Sequence, residues 1–514
     1  MTDDSLLRLA DAVLIPPFPG TTAPRWVLDA LGRGLGGVTL FGNNVLGDTA
    51  QLTATLRSAT DLEPIIAIDE EGGDVTRVAY AQGSPYPGNA ALGAVDDVAL
   101  TRQVHWAIGA DLAELGFNLN LAPCADVLGT TDSPAIGTRS FGSDTDLVAR
   151  HTAAAVTGLQ AAGVAACAKH FPGHGRTSTD SHHALATIGG TMEDLRIRDL
   201  PPFSAAIKAG AAAVMPSHLR VPELTGELAS SVSAAAITGL LRGELGFEGV
   251  VISDALEMKA LRDAYGIPGA GVRALAAGTD LLCFGRDTDE EMYLAVRAAL
   301  VDAVRAGELP SSRLEESAGR VAALHARLAA SRREPMPMRQ DGIGLTAARR
   351  AIRMSGPRPV LDRPLIIEVE PRENMAAGDF GWGLGPWAPP ASVRRVSTLA
   401  LAVTSSATTG PSWAASRPAG SAGGSPSATD GPLDVAGILA AASGRSLVVA
   451  VRDAHVDERV RALLTALLTA RPDTVLVEMG LPHWSPPEGT SYLATFGASR
   501  ASAQAAAELL GLAR

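Results

Sequence analysis

Cysteine is scarce: 514 residues contain three, Cys124, Cys167 and Cys283, far apart and each among apolar neighbours. An odd, scattered set of this kind is no disulfide framework and reads as reduced core thiols. No run of about 18 apolar residues occurs, so no membrane-spanning helix is expected. The opening stretch, MTDDSLLRLADAVLIPPFPG, is acidic before its short apolar run and has no basic leader, the wrong polarity for a secretory signal. There is no Lys/Arg block, and 43 basic against 55 acidic residues give a net charge of −12. That balance speaks against nucleic acid or an anionic membrane as a partner and is indifferent to an uncharged polar ligand. A soluble, cytoplasmic protein is expected, and its oligomeric state is left open.

Hydrophobic residues make up 46% and charged residues 19%, in a chain long enough for two domains with sizeable cores. Over residues 1–330 one theme repeats: a short apolar run, a polar or glycine loop, then an alanine- and leucine-rich helical stretch. The candidate strands are Ala10–Ile15, Gly37–Phe41, Ile65–Asp69, Phe117–Leu121, Val164–Lys169, Ala212–Met215, Val250–Asp254 and Asp280–Phe284. Each reads as buried throughout, as parallel strands covered on both faces do. Eight βα units in a row predict an α/β fold of the (β/α)8 TIM-barrel type; a doubly wound open sheet is the alternative, which the count disfavours. Residues 331–343, with the run SRREPMPMRQD, predict a linker, and residues 344–514 a smaller α/β layered second domain. Its strand-like runs are Leu365–Val369, Leu399–Val403, Leu447–Val451 and Thr474–Glu478, with a helix over Val456–Ala470 and a Ser/Ala/Gly/Pro-rich surface loop over Ser405–Pro432. This domain has no cluster of ionisable residues to match the first, and its role is read as packing or oligomer contact.

One stretch concentrates ionisable chemistry: Lys169-His170-Phe171-Pro172-Gly173-His174-Gly175, followed shortly by Asp180-Ser181-His182. Such groups gather where a polar ligand is held and a proton is moved. In an extended segment residues i and i+2 share a face, so Asp180 can bond one nitrogen of His182 and leave the other facing a pocket. The stretch Phe171–Arg196 is long for a βα loop and rich in Gly, Ser and Thr, as an active-site lid is. The competing reading is zinc on His174, His182, His183 and Asp180; the spacing lacks a helical i, i+4 pair and no cysteine lies near, so no metal is expected.

Other polar residues fall at strand ends. Asp69, Asn120, Lys169, His170, Ser217, His218 and Asp254 would share one rim of a barrel, where residues as distant as Asp69 and Asp254 meet around one pocket. Asp254 ends the run Val250-Val251-Ile252-Ser253-Asp254, either to cap the next helix or as a rigidly held nucleophile. Arg77 follows the acids of Ile68-Asp69-Glu70-Glu71-Gly72-Gly73, and Arg139 lies in Ile136-Gly137-Thr138-Arg139-Ser140-Phe141-Gly142. Carboxylates, a lysine and arginines at fixed points suit a ligand covered in hydroxyls.

Together, KHFPGHG with DSH, the strand end ISDALEM, the IDEEGG tip and the IGTRSFG loop resemble glycoside hydrolase family 3 over about residues 10–330. More narrowly, they resemble its bacterial β-N-acetylglucosaminidase branch. The resemblance implies a retaining exo-β-N-acetylglucosaminidase that needs no cofactor and releases terminal GlcNAc from a GlcNAc-containing saccharide, a peptidoglycan fragment. It implies Asp254 as the nucleophile of a covalent glycosyl-enzyme intermediate and His182 as general acid/base paired with Asp180. It also implies Asp69, Arg77, Arg139, Lys169 and His170 as ligands of the sugar's hydroxyls and acetamido group. A histidine acid/base does not repel an anionic acceptor, so a phosphorylase forming GlcNAc-1-phosphate is the alternative; a non-catalytic sugar-binding protein is the remaining one. Asp74 departs from the family, which commonly has arginine there; with Arg77 kept, little effect on the sugar site is expected.

Overall fold

In the computed structural model, residues 2–129, 133–177, 185–331, 341–370, 376–378, 382–397 and 434–512 are described. The chain divides into two compact units: Met1–Ile352 with Glu373–Trp382 and Thr495–Ala505, and Arg353–Arg372 with Gly383–Ala494 and Ala506–Arg514. Helix Ile343–Ala351 and the late stretch Thr495–Ala505 thus group with the first unit, whereas the sequence assigned residues 344–514 to the second. Residues 332–340, most of the expected linker, lie outside the described residues.

Among the described residues, eight short strands form the barrel of the first unit: β1 (Leu14–Ile15), β2 (Gly37–Leu40), β3 (Ile65–Ile68), β4 (Leu119–Asn120), β5 (Ala165–Phe171), β6 (Ala213–Pro216), β7 (Val250–Val251) and β8 (Leu282–Cys283). Strands β2 to β7 pair in parallel in sequence order. A parallel bridge between Ile252 and Leu281 carries the sheet to β8, which pairs in parallel with β1. The ring closes where Thr39 of β2 donates its N–H to Pro16 O at 3.4 Å and its hydroxyl to Ile15 O at 3.2 Å. Helices occupy the crossovers, among them Arg25–Arg33, Thr49–Ser58, Val98–Glu114, Thr145–Ala161, Pro201–Lys208, Ala235–Glu244 and Lys259–Ala277. This is the (β/α)8 barrel and not the open sheet.

The strands look uniformly apolar because both of their faces are buried. Ile65 and Ala67 of β3 point into the barrel, while Ile66 and Ile68 pack against the helices; Ala165 and Cys167 alternate likewise with Ala166 and Ala168 in β5. The helix Ser311–Ser331 adds Val321, Leu324 and Leu328 to the inner core. It sits at the N-terminal ends of the strands, where His325 donates to Gly36 O at 2.7 Å and Arg313 to Thr279 O at 2.9 Å. The opposite rim carries the polar residues.

Two expectations need correction. Ala10–Ala12 belong to a helix, Asp3–Ala12, and only Leu14–Ile15 form β1. Thr2 accepts from Ser5 N at 3.3 Å, and Asp3 and Asp4 sit in the first turn, a start signal that outweighs the short apolar run. Nor is Phe171–Arg196 all loop: Phe171 ends β5, Ala186–Thr187 pairs with Leu219–Arg220, and helix begins at Met192.

The second unit holds β9 (Arg353–Ser355), β10 (Leu365–Val369), β11 (Val393–Val396), β12 (Leu447–Val451), β13 (Val475–Glu478) and β14 (Tyr492–Ala494), in the order β9-β14-β13-β12-β10-β11. Among these described strands only the β9–β14 pair is antiparallel. The helix Glu458–Ala470 packs Leu463, Leu464 and Leu467 onto this sheet's core. β11 escapes a search for apolar runs because Arg394 and Arg395 interrupt it. The expected strand Leu399–Val403 and loop Ser405–Pro432 lie outside the described residues. Among the described residues no single helix is long and apolar enough to cross a membrane.

Candidate active site

Strand parity aims the functional groups. Asp69 follows Ile65 and Ala67, Lys169 follows Ala165 and Cys167, and Asp254 follows Val250 and Ile252, so each continues the inward register one step beyond the apolar floor. The thiols of Cys167 and Cys283 form part of that floor. Burial pushes both well above the usual thiol range, and both feel the carboxylates of Asp69 and Asp254. Two acids far apart in sequence therefore stand over the same floor.

Asp254 is half-buried and its Oδ1 accepts from Ala255 N at 2.8 Å. The next helix begins at Lys259 with Met258 at its N-cap, so Asp254 does not cap it. Behind the carboxylate, buried His218 donates from Nε2 to Ala255 O at 3.0 Å and meets Ser231 Oγ through Nδ1 at 2.6 Å. His218 is thus a clamp on the peptide that carries Asp254. Ser217 is a tie as well, donating to Phe171 O at 3.0 Å.

Around Asp69 runs a chain of charges. Lys169 Nζ lies 2.6 Å from Asp69 Oδ1 and 2.8 Å from Glu71 Oε1. Arg139 grips Glu71 with two prongs, Nε to Oε2 at 2.9 Å and Nη2 to Oε1 at 2.7 Å. It also donates from Nη1 to Ala135 O at 2.8 Å and from Nη2 to His170 Nε2 at 3.2 Å. A guanidinium only donates, so Nε2 of His170 accepts and the ring proton sits on Nδ1. That proton is given to Asp126 Oδ2 at 2.7 Å. Asp126, fully buried, also accepts from His174 N at 2.6 Å and from the Cys124 thiol at 3.0 Å. The segment after β4 brings it there by running along β5, with Lys169 N bonded to Pro123 O at 3.1 Å.

Electrostatics follow from these contacts. Burial alone would push the Glu71 carboxyl up, yet Arg139 and Lys169 hold it well below the usual carboxylate range. Burial opposes charge on Lys169 too, but Asp69 and Glu71 keep its ammonium above the ordinary value. Glu70, next to Glu71 in sequence, is shifted the other way from Glu71: burial raises it to about 7, despite hydrogen bonds from Val78 N at 3.0 Å, Thr76 Oγ1 at 3.0 Å and Arg77 N at 2.8 Å. Burial brings His174 down to about 4, leaving it neutral, with its Nδ1 2.8 Å from Thr177 Oγ1.

The sequence-predicted residues thus separate into groups. Asp69, Lys169, Arg139 and His170 form one network, and Asp254 stands over the same floor. Arg77 belongs to the loop held by Glu70, and its Nη2 donates to Ala376 O at 2.8 Å. Asn120 is a fastener, pairing both backbone groups of Glu70 at 3.0 and 2.8 Å. Asp74 is buried and accepts from Thr138 Oγ1 at 2.5 Å and from Ala498 N at 2.8 Å. Asp180, His182 and His183 lie outside the described residues. Glu71 and Asp126 are additions; Glu71 was detectable, since two steps from Asp69 in IDEEGG it shares that residue's side of an extended tip. Among the described residues, one set of possible metal ligands lies close together, Cys124, Asp126 and His170, with atoms within 4.8 Å of one another. Cys124 Sγ and His170 Nδ1 already donate to the same oxygen of Asp126.

A closed parallel barrel carries acids, a lysine and an arginine in one network at its C-terminal rim, the donors and acceptors that suit a hydroxyl-rich ligand. The model of the glycosyl hydrolase family 3 N terminal domain matches residues 22–324. The chain belongs to glycoside hydrolase family 3. Beta-hexosaminidase A of Pseudoalteromonas piscicida is 34% identical over 337 residues, 60% of this chain and 56% of that relative, so the chain spans little more than half its length. A beta-hexosaminidase of Stenotrophomonas maltophilia (strain R551-3) is 38% identical over 282 residues, 53% of this chain and 83% of the relative. The solved structure of a glycoside hydrolase family 3 beta-N-acetylglucosaminidase from Paenibacillus sp. str. FPU-7 aligns with a TM-score of 0.81 at 29% identity, covering 100% of this chain and 97% of that one.

Proposed function

We propose that this protein is a retaining β-N-acetylhexosaminidase that releases terminal GlcNAc, with Asp254 as nucleophile and His182, oriented by Asp180, as general acid and base. One observation carries the reading: Asp254 stands over the same thiol floor as Asp69, the first member of a Lys169–Glu71–Arg139 network suited to sugar hydroxyls. The matched relatives are named beta-hexosaminidases, which favours hydrolysis over phosphorolysis.

Lys169 engages one oxygen of Asp69, whose side chain is 21% exposed, so the other is available to accept from a sugar hydroxyl. Four of the five N–H groups of Arg139 are engaged within the protein, which makes it a fixed donor and not a swinging one. With the ring so held, the Asp254 carboxylate attacks the anomeric carbon while His182, as imidazolium, protonates the departing oxygen. Neutral His182 then takes a proton from the water that releases the sugar. A terminal GlcNAc on a muramic-acid-containing peptidoglycan fragment is the substrate class this reading assigns.

Asp254→Asn is expected to lower kcat on an aryl GlcNAc glycoside at least about a thousandfold, the scale of losing a nucleophile. His182→Ala should damage turnover of poor leaving groups far more than of activated aryl glycosides; equal losses on both would remove His182 from the acid role. Sugar phosphate formed in phosphate buffer, with a gain in rate, would replace hydrolysis by phosphorolysis.

A further inference from the structure

We infer that Asp74 is a positioning residue for substrate binding, coupling the late segment 495–502 to the loop that presents Arg139. The inference rests on the proposed role of Arg139 as a ligand of the sugar. The two oxygens of Asp74 serve different parts of the chain: Oδ2 takes the Thr138 hydroxyl at 2.5 Å, and Oδ1 takes the Ala498 amide at 2.8 Å. Thr138 immediately precedes Arg139 on the single helical turn Gly137–Arg139. The loop 71–74 therefore holds Arg139 at both ends, its guanidinium through Glu71 and its backbone through Asp74 and Thr138.

The same turn is gripped from a third side, where Asn89 Nδ2 donates to Arg139 O at 2.7 Å. Backbone touches backbone around it. A Cβ on Gly93 would lie 1.8 Å from Phe141 O, and one on Gly73 would lie 2.4 Å from Gly88 Cα, so neither glycine tolerates a side chain. The late segment is anchored in its own right: Ala501 N bonds Ser84 O at 3.3 Å, and Ser499 Oγ accepts from Ser502 N at 3.0 Å as the helix Arg500–Leu509 starts. A carboxylate buried between two such anchored pieces transmits the position of one to the other. Without it Glu71 still pairs with Arg139, but the turn beneath the guanidinium loses a fixed point. Sugar affinity should suffer more than the chemistry at Asp254.

The test uses the full chain and an aryl GlcNAc glycoside. Asp74→Ala should raise KM about tenfold while kcat falls no more than about threefold; a merely structural defect would lower Tm without that split. Thr138→Val, which removes the hydroxyl alone, should give a similar KM shift, and the double variant should exceed neither single by much. Should Asp74→Ala not fold, Thr138→Val carries the test by itself. Hydrogen–deuterium exchange provides an arm that needs no turnover: the amides of Arg139 and Ser140, bonded within the turn to Ile136 O and Gly137 O, should exchange faster in either variant. Unchanged exchange there, or additive KM effects in the double variant, would overturn the coupling. Absence of turnover by the unsubstituted protein would overturn the proposed activity, and exchange would still decide the role of Asp74.

Discussion

Glu70 and Glu71 are adjacent, both fully buried, and shifted in opposite directions, so the same substitution should have very different costs at the two positions. Glu71→Gln leaves Arg139 and Lys169 buried with one anionic partner fewer. Breaking a buried ion pair from one side costs about 3–5 kcal/mol, because a charge remains without its counter-ion. Glu70 lies at about 7 in the fold, so near pH 6 it is mostly protonated and an amide is close to its native state. Glu70→Gln should cost about 1 kcal/mol or less, the scale of one altered neutral hydrogen bond. The assay is equilibrium urea unfolding at pH 6 with kcat/KM measured on an aryl GlcNAc glycoside. Glu71→Gln should lower kcat/KM about a hundredfold, roughly 2.7 kcal/mol of lost transition-state binding, since both cations it orients are assigned to the sugar. Glu70→Gln should stay within about threefold, a loss of under about 1 kcal/mol. Equal losses at the two positions, or the larger one at Glu70, would refute the account of the charge chain.

The pH dependence of stability should separate the same two residues. Glu70 is raised from 4.5 to about 7 on folding, so its contribution is present below 4.5 and lost as pH rises through 7. The stability of Glu70→Gln relative to the parent should therefore rise by on the order of 3 kcal/mol between pH 4.5 and 8; parallel pH profiles would contradict this. Glu71 is depressed, so its contribution is present above 4.5 and lost as pH falls, and Glu71→Gln should flatten the acid limb. Asp126→Asn cannot accept from His170, His174 N and the Cys124 thiol together, and its amide N–H would face donors. KM should rise about tenfold, a loss of about 1.4 kcal/mol, and an unchanged KM would show that the His170 tautomer does not matter to binding. At the opposite end of the barrel, buried Asp280 is ion-paired to Arg242, to Arg313 at 2.6 Å and to Arg320 at 3.4 Å. Asp280→Asn should cost about 3–5 kcal/mol of stability and leave KM untouched; a change in KM would mean that the two ends communicate.

The barrel was legible because buried parallel strands announce themselves as short apolar runs, and Gly37–Leu40, Ile65–Ile68 and Ala213–Pro216 lie where such runs fall. What apolarity cannot separate is the end of a helix from the start of a strand, hence the misreading of Ala10–Ala12, where the capping signal at Thr2 lies eight residues upstream. β11 hid for the converse reason, since its arginines lie on a partly exposed sheet edge. Lys169 and His170 could be picked out because their short motif concentrates ionisable groups, and Arg139 through the separate IGTRSFG motif. Asp126 could not. A lone carboxylate gains its meaning only when the segment after β4 is laid beside β5 and His170 comes within 2.7 Å. The bond from Ala498 to Asp74 was likewise illegible, because most of the chain separates the two residues.

The register inherited by Asp69, Lys169 and Asp254 also restricts how this rim can change. Inserting or deleting one residue in β3, β5 or β7 would rotate the terminal charge out of the barrel into the apolar layer under the helices, and bring an aliphatic group inward. Length variation must therefore be confined to the loops beyond these positions, while the strands themselves can diversify only by replacement at constant spacing.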